Sequence, residues 1–114
     1  HLVSQITGEL KKGLTPVDLL EATIPSGSVT GAPKKRALEI IDDTEISPRG
    51  MYCGNLFWIS YDGAMDSSVL IRSLSRIKTQ ISIGSGGGIT WLSDPEKEYN
   101  EMILKATPIL KVFQ

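Results

Sequence analysis

Apolar and polar positions along this chain change rhythm several times, and each change marks an element. Leu2-Val3-Ser4-Gln5-Ile6 opens on an alternating, strand-like or buried run with no polar lead-in, so the chain is expected to be a portion of a longer protein. Thr15-Pro16-Val17-Asp18 is a helix start, with Thr15 as N-cap, Pro16 at the first position and Asp18 in the first turn. Leu19, Leu20 and Ala22 follow before Pro25 stops it. A second helix is predicted from about Pro33, with Ala37, Leu38, Ile40 and Ile41 as its apolar face, ended by Asp42-Asp43 and Ser47-Pro48-Arg49-Gly50. Residues 51–61 are rich in aromatic and β-branched types, and Asp62-Gly63 is a turn signal. Met65 to Ile77 reads as the returning strand of a hairpin, and Gln80 to Gly84 as a third strand completing a meander.

After the Gly84-Ser85-Gly86-Gly87-Gly88 stretch and Ile89 to Leu92, a last helix opens at Ser93-Asp94-Pro95-Glu96 and runs to the C-terminus. Helical spacing puts Tyr99, Met102, Ile103, Ala106, Ile109, Leu110 and Phe113 on one broad apolar face, with Glu98, Glu101 and Lys105 in a narrow sector at its edge. Pro108 should kink or weaken this helix near its end. The fold class expected is α+β, an antiparallel meander packed on helices.

Charge narrows the function classes. Twelve basic and thirteen acidic residues leave a net charge of −1, too balanced for nucleic acid or an anionic membrane to be the main partner. No apolar run approaches the roughly 20 residues that span a bilayer. The single cysteine, Cys53, has no internal disulfide partner, which fits a reducing compartment and makes the cytoplasm the default expectation.

Candidate chemistry concentrates at the turn from Pro25 to Arg36. Gly27 and Gly31 allow close backbone approach, the N–H groups of the following helix start attract carboxylate or phosphate, and Ser28, Thr30, Lys34, Lys35 and Arg36 add hydroxyls and charge. The same residues also make an ordinary capped helix start with a solvated basic end. Glu98 and Glu101 suit a hard divalent cation such as Mg²⁺, and Lys105 an anion beside it; an ordinary solvated helix flank is the alternative. Gly86, Gly87 and Gly88 make either a tight bend or a nest of N–H groups for a carboxylate. Arg72 is a candidate bidentate clamp or an exposed strand-end arginine, and Tyr52 is core or a phenolic donor.

Taken together, Gly27-Ser28-Val29-Thr30-Gly31-Ala32-Pro33-Lys34, Tyr52-Cys53-Gly54, Met65-Asp66, Ile71-Arg72-Ser73-Leu74, Gly86-Gly87-Gly88-Ile89, Glu98-Tyr99-Asn100-Glu101 and Lys105-Ala106 resemble the C-terminal part of the chorismate-utilising enzymes. The resemblance covers essentially the whole chain. The Gly-Ser-Val-Thr-Gly-Ala-Pro-Lys block, the triple glycine and the Tyr-Cys-Gly block lean toward the branch that aminates chorismate without aromatising it, while the anthranilate-forming and isochorismate-forming branches share the plan. The resemblance implies one portion of a larger chorismate-binding α/β sandwich. It also implies Mg²⁺-dependent replacement of the C4 hydroxyl of chorismate by ammonia, supplied by a glutamine amidotransferase partner. Glu98 and Glu101 would lie at the metal; Lys105, Arg72, Tyr52 and the Gly86, Gly87 and Gly88 amides would hold substrate carboxylates. Ser28 and Gly31 would line the pocket beside the ring, and His1 matches a family histidine near the reacting hydroxyl, a general-acid candidate.

Two departures from the family pattern stand out. Phe57-Trp58 replaces the usual Gly-Tyr pair after the Tyr-Cys-Gly block. The upstream metal-binding glutamates and the Pro-Ile-x-Gly-Thr stretch, whose variable place marks the branch, are not in this sequence. The chain alone is therefore expected to be inactive and to expose apolar surface that favours self-association. A non-catalytic anion-binding or partner-binding module is the competing class, although Gly27 followed by Gly31 with Pro33 before Lys34 does not supply a Walker-type phosphate loop.

Overall fold

The computed structural model describes residues 3–113. Its elements run α1 (Pro16–Thr23), α2 (Gly27–Thr30), α3 (Lys34–Thr44), β1 (Asn55–Ile59), β2 (Met65–Val69), β3 (Leu74–Ile77), β4 (Gln80–Ile83) and α4 (Pro95–Leu110), closed by a 3₁₀ turn over Lys111–Phe113. Helices and small antiparallel sheets give the α+β class that the pattern predicts.

Local chemistry explains most boundaries. The Thr15 N–H donates to Asp18 Oδ2 at 2.7 Å, and the Asp18 N–H donates back to Thr15 Oγ1 at 3.4 Å, a reciprocal cap that opens α1. Thr15 Oγ1 also donates to Asp18 Oδ2 at 2.6 Å, and this bond, followed by that from the Thr15 N–H, holds the Asp18 carboxyl below the usual carboxylate range. The turn before α3 departs from expectation: residues 27–30 close a helical turn of their own, which Gly31 ends at φ +113°. An added Cβ on Gly31 would meet Ala37 Cβ at 3.2 Å as well as strain the backbone. Pro33 is the N-cap of α3 rather than its first helical residue, because its ψ of 134° is extended.

The expected single meander is divided into two hairpins. β1 pairs with β2 from Asn55↔Val69 to Ile59↔Met65, and β3 pairs with β4 from Leu74↔Ile83 to Ile77↔Gln80. The break lies between β2 and β3, where the Ile71 N–H donates to Val69 O at 2.9 Å and Arg72 adopts φ +50°. That i→i+2 turn and left-handed residue redirect the chain, so Met65 to Ile77 cannot continue as one strand. The alternating run at Val3 to Ile6 forms no strand among the described residues, and both apolar side chains stand in solvent, because no neighbouring strand offers a ladder.

α4 starts under an Asp94 cap whose Oδ1 accepts the Glu96 and Lys97 N–H groups at 3.1 and 3.0 Å. Its α-helical span ends two residues beyond Pro108 and tightens into the 3₁₀ turn, as a missing N–H near the end dictates. The helix buries less of its apolar face than predicted. Glu98, Met102, Lys105, Ala106 and Ile109 are half-buried, whereas Tyr99, Ile103, Leu110 and Phe113 point outward and remain exposed.

Apolar burial is slight throughout. Among the described residues only Leu20 and Cys53 are buried. β1 exposes both of its faces, with Trp58 at 57% and Phe57 at 47%, although an apolar run on both faces is the signature of a covered strand. The accessible surface is 10111 Å². A compact 12.4 kDa monomer exposes about 6,100 Å². The radius of gyration, 16.7 Å, likewise exceeds the roughly 13 Å of a compact domain of this length. No helix among the described residues is long and apolar enough to cross a membrane.

Candidate active site

A cleft of about 790 Å³ opens between the α2–α3 turn, the Tyr52–Cys53 loop, the Gly84–Gly88 stretch and the inner side of α4. Ser28, Gly31, Tyr52, Arg72, Gly86, Gly87, Gly88 and Lys105 all line it. Of these residues, Ser28 and Lys105, 77 positions apart, thus meet in one cavity.

Tyr52 forms one wall. A Cβ added to Gly84 would sit 2.6 Å from Tyr52 Cβ and overlap the ring, and one added to Gly86 would lie 3.0 Å from the phenolic oxygen. The ring therefore lies against the backbone of residues 84–86, and glycine at position 84 makes the room. Burial, followed by the neighbouring Cys53, pushes the Tyr52 phenol upward, so it remains a hydrogen-bond donor at neutral pH.

α4 is tied to the same stretch by two polar contacts. Ser85 Oγ donates to Met102 O at 2.7 Å, and Lys105 Nζ donates to Gly86 O at 3.2 Å. Lys105 also pairs with Glu101 at 2.5 Å. An ammonium held by a backbone carbonyl and a carboxylate keeps one proton free to turn toward the cleft. Among the described residues, the Arg72 guanidinium makes no hydrogen bond. Its left-handed backbone places a free cation at the cleft, the kind of strain that gathers at functional positions.

The two carboxylates are arranged differently from one another. Glu98 Oε2 would be 2.9 Å from a Cβ on Gly87 and lines a smaller pocket that shares Gly87 and Ile89 with the cleft. Glu101 lines neither pocket and is engaged by Lys105. Carboxylate oxygens are the right donors for Mg²⁺, but among the described residues no three His, Cys, Asp or Glu side chains gather to hold a metal. The structure therefore does not bring Glu98 and Glu101 together in either pocket.

The basic run after the turn is mostly engaged elsewhere. Lys34 Nζ reaches the last carbonyls of α1, Ala22 O at 3.3 Å and Ile24 O at 3.5 Å, and Arg36 pairs with Glu39 at 2.9 Å. Ser28 Oγ lies 2.9 Å from Ser26 Oγ, and Thr30 Oγ1 donates to Ser26 O. His1 lies outside the described residues.

Sequence reasoning missed Gly84 and Arg49. Arg49 Nε and Nη2 grip the Glu45 carboxylate at 2.6–3.0 Å, while Nη1 donates to Val29 O at 3.0 Å and approaches Cys53 Sγ at 3.5 Å. The hydrogen bonds from Arg49 hold the Glu45 carboxyl below its ordinary value, and Glu45 in turn pushes the guanidinium up. Glu45 and Arg49 lie beyond the end of α3, so no helical spacing announced the pair.

Comparison with known proteins follows the same outline. The family described as chorismate binding enzyme matches residues 1–111. The chain is 49% identical to aminodeoxychorismate synthase component 1 of Escherichia coli over 97% of its length, covering 24% of that protein. It is 48% identical to a probable chloroplastic aminodeoxychorismate synthase of Oryza sativa over 99% of its length and 13% of that protein. Anthranilate synthase component 1 of Aquifex aeolicus is 41% identical over the full chain and 23% of its own length. The chain thus spans about a quarter or less of the relatives it matches.

Proposed function

Because the chain belongs to the chorismate binding enzyme family, we propose that it forms the C-terminal wall of the substrate site of an aminodeoxychorismate synthase component I, which replaces the C4 hydroxyl of chorismate with ammonia. The observation that carries this reading is the convergence of Arg72, Lys105, Tyr52 and the Gly86 to Gly88 backbone on one cleft. Chorismate is a small dianion, and a site for it needs separated cationic or N–H clamps for two carboxylates. In this reading Arg72 clamps one carboxylate. Lys105, Tyr52 and the glycine amides hold the other, and Ser28 and Gly31 close over the ring. His1 is the general acid at the departing hydroxyl.

Glu98 and Glu101 would hold Mg²⁺ through their carboxylates. The ion's contribution, when bound, is to neutralise a carboxylate and help hydroxide depart. A glutamine amidotransferase subunit supplies the ammonia, and the reaction serves para-aminobenzoate formation. The relatives named aminodeoxychorismate synthase support this branch; those named anthranilate synthase, at 41–44% identity, support amination with aromatisation as the second reading.

The test is product identification. The longer polypeptide that carries this chain, given chorismate, ammonium and Mg²⁺, should release aminodeoxychorismate. Anthranilate or isochorismate as the product would overturn the branch, and unchanged chorismate would overturn the reading.

A further inference from the structure

Arg49 lines the cleft with Arg72 and Lys105, yet its donors are directed into the protein. Of the five N–H groups of a guanidinium, four have partners: Nε–H and one Nη2–H on Glu45, and the two Nη1–H groups on Val29 O and Cys53 Sγ. One free N–H does not make a bidentate anion clamp. The partners, however, come from separate parts of the site. Val29 belongs to the one-turn helix between Ser28 and Gly31, Glu45 follows α3, and Cys53 adjoins Tyr52.

Apolar packing does little to hold these parts together, since only Leu20 and Cys53 are buried among the described residues. Cys53 itself sits at φ +68°, a conformation that needs support from its surroundings. A carbonyl near the end of a short helix lacks an intrahelical partner, and Arg49 supplies one to Val29 across twenty positions of sequence.

We propose that Arg49 is a positioning residue that sets the distance between the Ser28–Gly31 turn and the Tyr52 wall, and with it the width of the cleft. The kinetic part of this inference rests on the chorismate reading; the structural part does not.

The experiment uses the longer polypeptide carrying this chain, with Arg49→Gln and Arg49→Lys. A residue that holds a binding wall in place acts on ground state and transition state alike, so Arg49→Gln should raise KM for chorismate by roughly tenfold while kcat changes by less than about twofold. Loss of the bridge also frees the Cys53 loop, and the rate of Cys53 alkylation under native conditions should rise by about tenfold in the same variant. Lysine keeps the charge but reaches one partner instead of three, so Arg49→Lys should restore neither readout. Should Arg49→Gln fail to fold, Arg49→Lys carries the test. Unchanged KM and unchanged Cys53 alkylation in a folded variant would overturn the proposal, as would full rescue by lysine. If the unmutated protein consumes no chorismate, the functional reading fails, and the alkylation rate alone still decides the role of Arg49.

Discussion

Purified by itself, the 114-residue chain should form no aminodeoxychorismate from chorismate, ammonium and Mg²⁺, and should elute from a sizing column as self-associated species. The exposed surface of 10111 Å² is the reason. It exceeds by roughly 4,000 Å² what a compact monomer of this mass presents, and Leu56, Phe57 and Trp58 on the two faces of β1 and Tyr99, Ile103 and Leu110 on the outer side of α4 are among the exposed apolar side chains. At about 25 cal/mol per Å², leaving even a quarter of that excess in water forgoes some 25 kcal/mol of burial, more than the usual net stability of about 5–15 kcal/mol of a domain. Urea denaturation followed by circular dichroism should then give a shallow, non-cooperative transition, and a dye for exposed apolar surface should bind strongly. A monomeric chain with a sharp transition and measurable turnover would contradict the packing account.

Substitution of Gly84 by alanine, made in the longer polypeptide, should lower stability by about 1–3 kcal/mol, the range for forcing an extra carbon into an occupied space. Here the occupied space is the Tyr52 side chain, whose ring and Cβ stand where the new methyl would go. The expectation is specific to that pair. In a Tyr52→Gly background the ring and the Cβ are both gone, so Gly84→Ala should cost no more than a few tenths of a kcal/mol for a glycine whose φ is not in the left-handed region. A double-mutant cycle read from urea midpoints measures the coupling. Equal costs of Gly84→Ala in both backgrounds would show that Tyr52 does not lie across this backbone.

How much of this was legible beforehand differs from element to element, for physical reasons. α1 and the start of α4 were readable because their caps are local: Thr15 with Asp18, and Asp94 with the first N–H groups after Pro95. The division of the meander was not, because it depends on a turn at Ile71 and a left-handed Arg72, neither of which glycine or asparagine announces. Helical spacing also placed Tyr99, Ile103 and Leu110 on the same face as Met102 and Ile109. Only the packing of the Gly84–Gly88 stretch on α4 reveals that Glu98, Met102, Lys105 and Ile109 form the inner stripe. Of the candidate residues, those in the blocks at Ser28–Gly31, Tyr52, Arg72, Gly86–Gly88 and Lys105 line one cleft, whereas Glu98 and Glu101 do not. The internal bracing of that cleft was not legible, because Arg49 and Gly84 act through partners distant in sequence.

The cleft's proposed role requires Arg72 and Lys105 to take a small dianion. Calorimetric titration of chorismate into the longer polypeptide, unmutated and with Arg72→Ala or Lys105→Ala, measures this directly. Loss of one charged clamp should weaken binding by at least roughly tenfold in each folded variant. Chorismate affinity unaltered in both folded variants would contradict the site.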